Sequence, residues 1–579
     1  MSRNEPGPHT AAGHRHGPAC PGHLSPREAA RGGTDEPGHD GAVAAATRGT
    51  PGTTRRALLG AASGLVLAPH LATAQSAASE PKRGGTMTIM FFQEPPSLVS
   101  IVNTNSLTCS AKVTEGLLWY DHDMQPHPQL ATAWTISPDK LTYTFTLRQG
   151  VKWHDGQAFT SADVAASIAI LKKLHPRGRG TFLHVAEVAT PDDHTVVLKL
   201  DAPIPYLIKA FAAAESPIIP KHIYDGTDPF TNKNNSAPIG TGPFRMKEYA
   251  RGDHVIYERN PDYWDSPRPY LDQLVVKFIP DPASRSAALE SGEVDLGYRT
   301  PVAYGDLDRL RAAGKLEFET KGYEYSNNVM SLEFNMDNPY FSKLPVRQAV
   351  SHALNRAAIC KTVYYGTFEP CAAPIAPFLK EYHSPDPSPY PYDIAQAEKL
   401  LDGAGLAKGA DGTRFHMTFD ASPAVEEARR LGDFIRASLA RVGIAVEVRT
   451  SDFGTYAKRV YTDRDFDICC TSFSNLFDPT VGVMRIYWSK NIVKGVPFSN
   501  TSYYRNARVD ELLETAAIEP DPEKRKAEFM EFQQIVMREA PDFNVGVPRW
   551  YTIFNKRAQG HTVTADGIEG NLAYAYIAS

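Results

Sequence analysis

Apolar and polar positions alternate most clearly between residues 142 and 148, where Tyr143, Phe145 and Leu147 alternate with Thr142, Thr144, Thr146 and Arg148. A period of two is the pattern of a half-buried strand. Gln149-Gly150 and Asp155-Gly156 then punctuate the chain around a short segment, Val151 to Trp153. Thr160 with Asp163 three places on has the form of a capping box and predicts an Ala- and Ile-rich helix. A turn at Asp192-Asp193-His194 precedes a second alternating strand, Thr195 to Leu200, and GGTMTIMFF before residue 93 predicts an opening strand.

Further helices follow from spacing. Leu107, Val113, Leu117 and Leu118 predict one over Ser106 to Tyr120. Val346, Ala349, Val350, Ala353, Leu354 and Ala357 recur at three and four residues behind Pro345, one buried face of a helix. Asp393 with Gln396 starts another that Gly403 or Gly405 ends. Ala424 to Arg441 is helical, with a strand of Ile444, Val446 and Val448 after it. Pro522 opens a late helix that turns Phe529, Phe532, Ile535 and Val536 inward. Helices alternating with strands imply α/β layers. The proline-rich stretch Lys380 to Tyr392 is a rigid surface loop, and no internal repeat is evident.

At 579 residues the chain is too long for one core and implies about two to four domains. A net charge of -5 argues against a nucleic-acid binder. The first 54 residues are rich in Gly, Pro, Ala and His without apolar periodicity, a disordered leader. His9, His14, His16, Cys20 and His23 there have metal-ligand chemistry, against the simpler reading of a discarded segment. Residues 55–74 have the order of an export signal: Arg55-Arg56, an apolar run from Ala57 to Ala68, and Ala72-Thr73-Ala74 as a cleavage site. The paired arginines point to the twin-arginine route. The run is shorter than the roughly 18 residues of a membrane span.

Five cysteines remain after cleavage, so not all can pair within the chain. Cys360 and Cys371 flank a short loop and are the candidates for a disulfide, if their Cα atoms lie within about 7 Å. There is no CxxC pair and no HExxH helix. Gly240-Thr241-Gly242-Pro243-Phe244 is not a nucleotide loop, because Pro243 follows the second glycine and the third is missing. His154-Asp155 suggests catalysis, but neighbours on an extended segment point to opposite faces.

The stretch from Leu130 to Ile168 resembles the signature of the family 5 extracellular solute-binding proteins of ABC importers, which bind peptides, dipeptides and nickel. The matching residues are Trp134, Ser137, Phe145, Leu147, Arg148, Gly150, Val151, His154, Asp155, Gly156, Asp163 and Val164. The resemblance continues through GTGPF at Gly240, NPDYW from Asn260 to Trp264, ALESGEVDL from Ala288 to Leu296, LEFN from Leu332, and Arg347 with Asn355-Arg356. It implies an α/β fold of the type II periplasmic binding protein kind, two lobes closing on a cleft. An additional domain is inserted in the N-terminal lobe. The implied division is 75–122, 237–321 and 545–579 for the first lobe, 123–236 for the insertion and 322–544 for the second lobe. It also implies a periplasmic monomer without cofactor or enzymatic activity that hands a peptide-like or other small polar solute to an inner-membrane permease.

For the site, the resemblance singles out the loop Thr471 to Trp488 and within it Asp478, as the carboxylate for a ligand α-ammonium. Asp478→Ala would then weaken binding and leave the fold intact. The other reading of Asp478-Pro479 is a residue that caps a turn. Phe473, Phe477, Tyr487, Trp488 and Tyr504 are the candidates for an apolar wall. SFSNLFDP lacks the acidic doublet of the dipeptide-binding loop, a departure from that specificity. Arg347 either holds a ligand carboxylate or ties its helix to a neighbouring carboxylate. Two other functions stay open: a secreted hydrolase using His154, although no GxSxG elbow appears in the mature chain, and a sensory or chaperone role on the same scaffold.

Overall fold

Residue 86 begins a strand, Thr86–Phe91, that forms the middle of a seven-stranded sheet. Met87 and Ile89 are fully buried. The strand runs parallel to Gln273–Phe278 on one side and to Leu296–Gly297 on the other. Helix Pro282–Ser291 makes that crossover; Asp281 caps it by accepting from the Ser284 N–H, and Gly292 ends it in the left-handed conformation. The computed structural model describes residues 81–578. The leader, its His/Cys group and the twin-arginine segment with its cleavage site lie outside the described residues.

A second sheet has six strands and is built from residues 328–548. Its parallel pair Phe415–Ala421 and Ile444–Thr450 is joined by helix Ala428–Ala440, the alternation expected from the sequence. The chain passes between the two sheets twice, from Glu319 to Asn328 and from Pro548 to Thr552. A third, antiparallel sheet of four strands contains Thr142–Leu147 with Tyr143, Phe145 and Leu147 buried. It carries helix Ser161–Leu174, started by the Thr160–Asp163 capping box.

The GTGPF and HDG turns meet. The His154 N–H donates to Gly240 O at 2.9 Å, and its ring Nε2 lies 3.0 Å from Gly242 O. Side chains are excluded at both glycines, because a Cβ would stand 1.9 and 2.6 Å from the Val113 carbonyl oxygen. Burial pushes the His154 imidazole down to about 4. The ring on which the hydrolase reading rested is therefore neutral and built into a turn contact.

Three expectations are corrected. The helix of Ser106 to Tyr120 is only Leu107–Ser110; the chain then straightens, and Leu118–Tyr120 pairs with Pro126–Pro128. Gly116 is the cause, since its Cα lies against the main chain of 211–213, an approach that a helical turn would block. The long face from Val346 to Ala357 is two helices, Leu344–Ala353 and Arg356–Thr362, broken at extended Leu354 where Asn355 caps the second. Cys360 and Cys371 form no disulfide; both are buried free thiols, their sulfurs aimed at the carbonyls of Val545 and Ala373.

The second sheet contains a buried acid pair, Glu333 opposite Asp542 on adjacent strands. Burial, with the Asp542 charge added, pushes the Glu333 carboxyl from 4.5 up to about 8. A carboxyl raised on folding stabilises fully below its unfolded value, and that stability is lost as pH rises through the folded value. The midpoint of urea unfolding should fall between pH 5 and pH 9, and Glu333→Gln should flatten the fall. An unchanged slope in that variant would remove Glu333 as its source.

Candidate functional site

Asp478 is 1% exposed and caps the short helix Pro479–Gly482 by accepting from the Thr480 N–H at 2.9 Å. Both of its carboxylate oxygens are also taken by Arg525, at 2.7 and 2.9 Å. Arg525 donates in addition to Ala516 O, the Tyr382 hydroxyl and Thr480 Oγ1. Burial disfavours the Arg525 charge, yet Asp478 beside it holds its pKa above the ordinary arginine value. The capping reading of Asp478 is the one the geometry realises: its charge already has a cation.

The proposed aromatic wall divides. Phe473, Tyr487 and Tyr504 are buried in a core of the second lobe. The hydroxyls of Tyr487 and Tyr504 donate to Asp542 and Glu539, and the Trp488 indole donates to Glu514. Those four side chains are spent within one lobe. Arg347 ties its helix to main chain and not to a neighbouring carboxylate: its guanidinium donates to the carbonyls of Phe341, Ser342, Glu539 and Ala540.

Phe477 alone reaches across. Its ring centroid lies 5.1 Å from that of Tyr325, which lies 5.6 Å from Tyr120 on the first lobe's side. Phe477 and Leu476 thereby join the core of the four-stranded sheet and the loops under it. Tyr325 sits on one of the two crossings and donates to Lys209 O at 2.7 Å. The other crossing is pinned by Arg299, stacked 4.8 Å from Trp550 and paired with Glu569 at 3.0 Å.

Further along the same loop the helix Met484–Tyr487 carries Arg485. Its Nε donates to Gly482 O at 3.2 Å, and its two terminal nitrogens make no hydrogen bond to a described residue. It lies within electrostatic reach of Arg177 and Glu215, which come from the opposite side of the cleft. Glu215 is fully buried, 2.8 Å from Arg177 Nε, and accepts from Thr181 Oγ1 at 3.2 Å. Burial raises the Glu215 carboxyl, and Arg177 offsets part of that rise. Burial, then the like charge of Arg177, pushes Arg485 down to about 10. Two arginines against one carboxylate leave one net positive charge. Arg485 is half-buried, and its free fork is open to a bidentate anion. Arg485 stands inside the loop that the sequence singled out, but aromatic and acidic residues drew the reading. Arg177 and Glu215 carried no signal at all.

Residues 125–495 match the family model described as bacterial extracellular solute-binding proteins, family 5 Middle. A protein of Brucella ovis named as an ABC transporter peptide-binding protein is 32% identical over 447 residues, covering 74% of this chain and 80% of the relative. The glutathione-binding protein GsiB of Salmonella typhi is 27% identical over 474 residues, 80% of this chain and 89% of the relative. Among solved structures, the periplasmic binding protein DppA of Helicobacter pylori, in complex with the peptide STSA, superposes with a TM-score of 0.73 at 24% identity, covering 86% of this chain and 99% of DppA. The fold is therefore that of the type II periplasmic binding proteins, as expected from the sequence. With the signature turn, the two crossings and these likenesses together, the chain belongs to the family 5 bacterial extracellular solute-binding proteins.

Proposed function

We propose that this protein, as the periplasmic substrate-binding component of an ABC importer, captures a small solute that carries one anionic group and holds that group on Arg485. The observation that carries the reading is half-buried Arg485, whose terminal nitrogens make no hydrogen bond to a described residue and which feels Arg177 and Glu215 across the cleft. Relatives are named for binding peptides and glutathione, and a peptide's free C-terminus and either carboxylate of glutathione supply such a group. The buried aromatic run Tyr120, Tyr325 and Phe477 ties the two sides of the cleft together. Closure about the crossings at 319–328 and 548–552 would bury the solute and present the closed form to the permease. Export as a monomer by the twin-arginine route, and a division into 75–122, 237–321 and 545–579, an insertion at 123–236 and a second lobe at 322–544, complete the proposal.

A ligand that binds only the folded protein raises its melting temperature. In a thermal-shift screen, glutathione and short peptides with free C-termini should raise it, and the same peptides amidated at the C-terminus should not. Equal shifts from free and amidated peptides would contradict an anion on Arg485.

A further inference from the structure

A cavity of about 200 Å³ lies outside the cleft. Every residue lining it falls within 118–268 or 564–574, so none comes from the second lobe and closure does not build it. Trp119 marks the separation: Tyr120 beside it on the strand points to Tyr325, and successive strand residues face opposite sides.

The walls are aromatic and two of them carry arginines. The Arg148 guanidinium stacks 3.9 Å from the Trp264 ring centre, and that of Arg268 lies 4.2 Å from the Tyr574 ring. Asp265 neutralises Arg268 at 2.6 Å, and Asp566 lies beside the buried ammonium of Lys112. Among the described residues Arg148 has no carboxylate of its own. Its Nε donates to Gln129 O at 2.9 Å, and its terminal nitrogens make no hydrogen bond to a described residue. The wall is held from behind by buried Glu115, which accepts from the Tyr263 hydroxyl at 2.8 Å and the Trp264 indole at 3.0 Å. Trp264 is thus fixed at its edge and stacked on its face, a preorganised plane beside a free cationic fork.

We propose that this cavity is a second binding site, for a small aromatic carboxylate. The carboxylate takes the two terminal nitrogens of Arg148 and the ring lies among Trp119, Trp264 and Tyr574. The volume is below the roughly 300 Å³ at which drug-sized pockets begin, which limits the ligand to about one single or fused ring system with a short acidic arm. The guanidinium supplies a bidentate geometry that a lysine would not.

The test is titration calorimetry of the full exported chain with indole-3-acetate. Saturable binding is expected, at least tenfold weaker in Arg148→Gln and in Trp119→Ala, and unchanged in Arg485→Gln. Acetate should bind at least tenfold more weakly than indole-3-acetate. Trp119→Ala keeps the test decisive if Arg148→Gln fails to fold. No saturable binding, affinity unchanged in Trp119→Ala, acetate binding as well as indole-3-acetate, or loss in Arg485→Gln alone would each overturn the site. The last outcome would place the probe in the cleft, and failure of the cleft reading would leave the Arg148 and Trp119 results untouched.

Discussion

Asp478→Ala is expected to lower the stability of the protein by about 3–5 kcal/mol, because it strands a buried guanidinium. Arg525→Ala should cost a similar amount by stranding the carboxylate. The pair is 1% and 2% exposed, so water cannot replace the lost partner. Solute affinity of the protein that remains folded should not change, since neither side chain presents a free polar group to the cleft. An Asp478 that received a ligand ammonium would give the reverse result, an intact fold and weakened binding. Replacing both residues together with apolar side chains of similar volume should recover much of the loss, because a removed pair leaves no charge unpaired. Urea unfolding followed by circular dichroism, beside calorimetry with the solute, separates the two accounts.

Arg485→Gln should weaken the anionic solute by about 2–5 kcal/mol, the range for truncating one partner of a buried charge pair. At about 1.4 kcal/mol for each factor of ten, the dissociation constant rises by roughly 30-fold to several thousand-fold. Without solute the same variant should be about as stable as the parent, because Arg485 is half-buried and its Nε makes one hydrogen bond, to Gly482 O. Arg485→Lys should recover only part of the affinity, since an ammonium lacks the planar fork. Unaltered affinity in Arg485→Gln would remove this arginine from the site.

Much of the architecture was legible in the sequence because it is set by local patterns. The strand Thr142–Leu147, the Thr160–Asp163 cap and the helices begun by Asp393 and Pro522 stand where the periodicity places them. The misreadings at Gly116 and Leu354 occurred where packing against distant main chain or a second cap overrode helical spacing. Arg525 could have been found, since it shares the four-three-four spacing of Phe529, Phe532 and Val536 and so had to be buried and paired. With it, Asp478 would have been read as its partner. The site itself joins residues about 300 positions apart, Arg177 and Glu215 with Arg485, and no periodicity within one chain brings such residues together.

Native mass spectrometry of the exported chain, purified gently from its producing cells, tests directly whether an anionic solute rests on Arg485. A mass excess that denaturation releases as a small anionic solute is expected in the parent and lost in Arg485→Gln. A released solute that is neutral or cationic, or equal occupancy in Arg485→Gln, would contradict it.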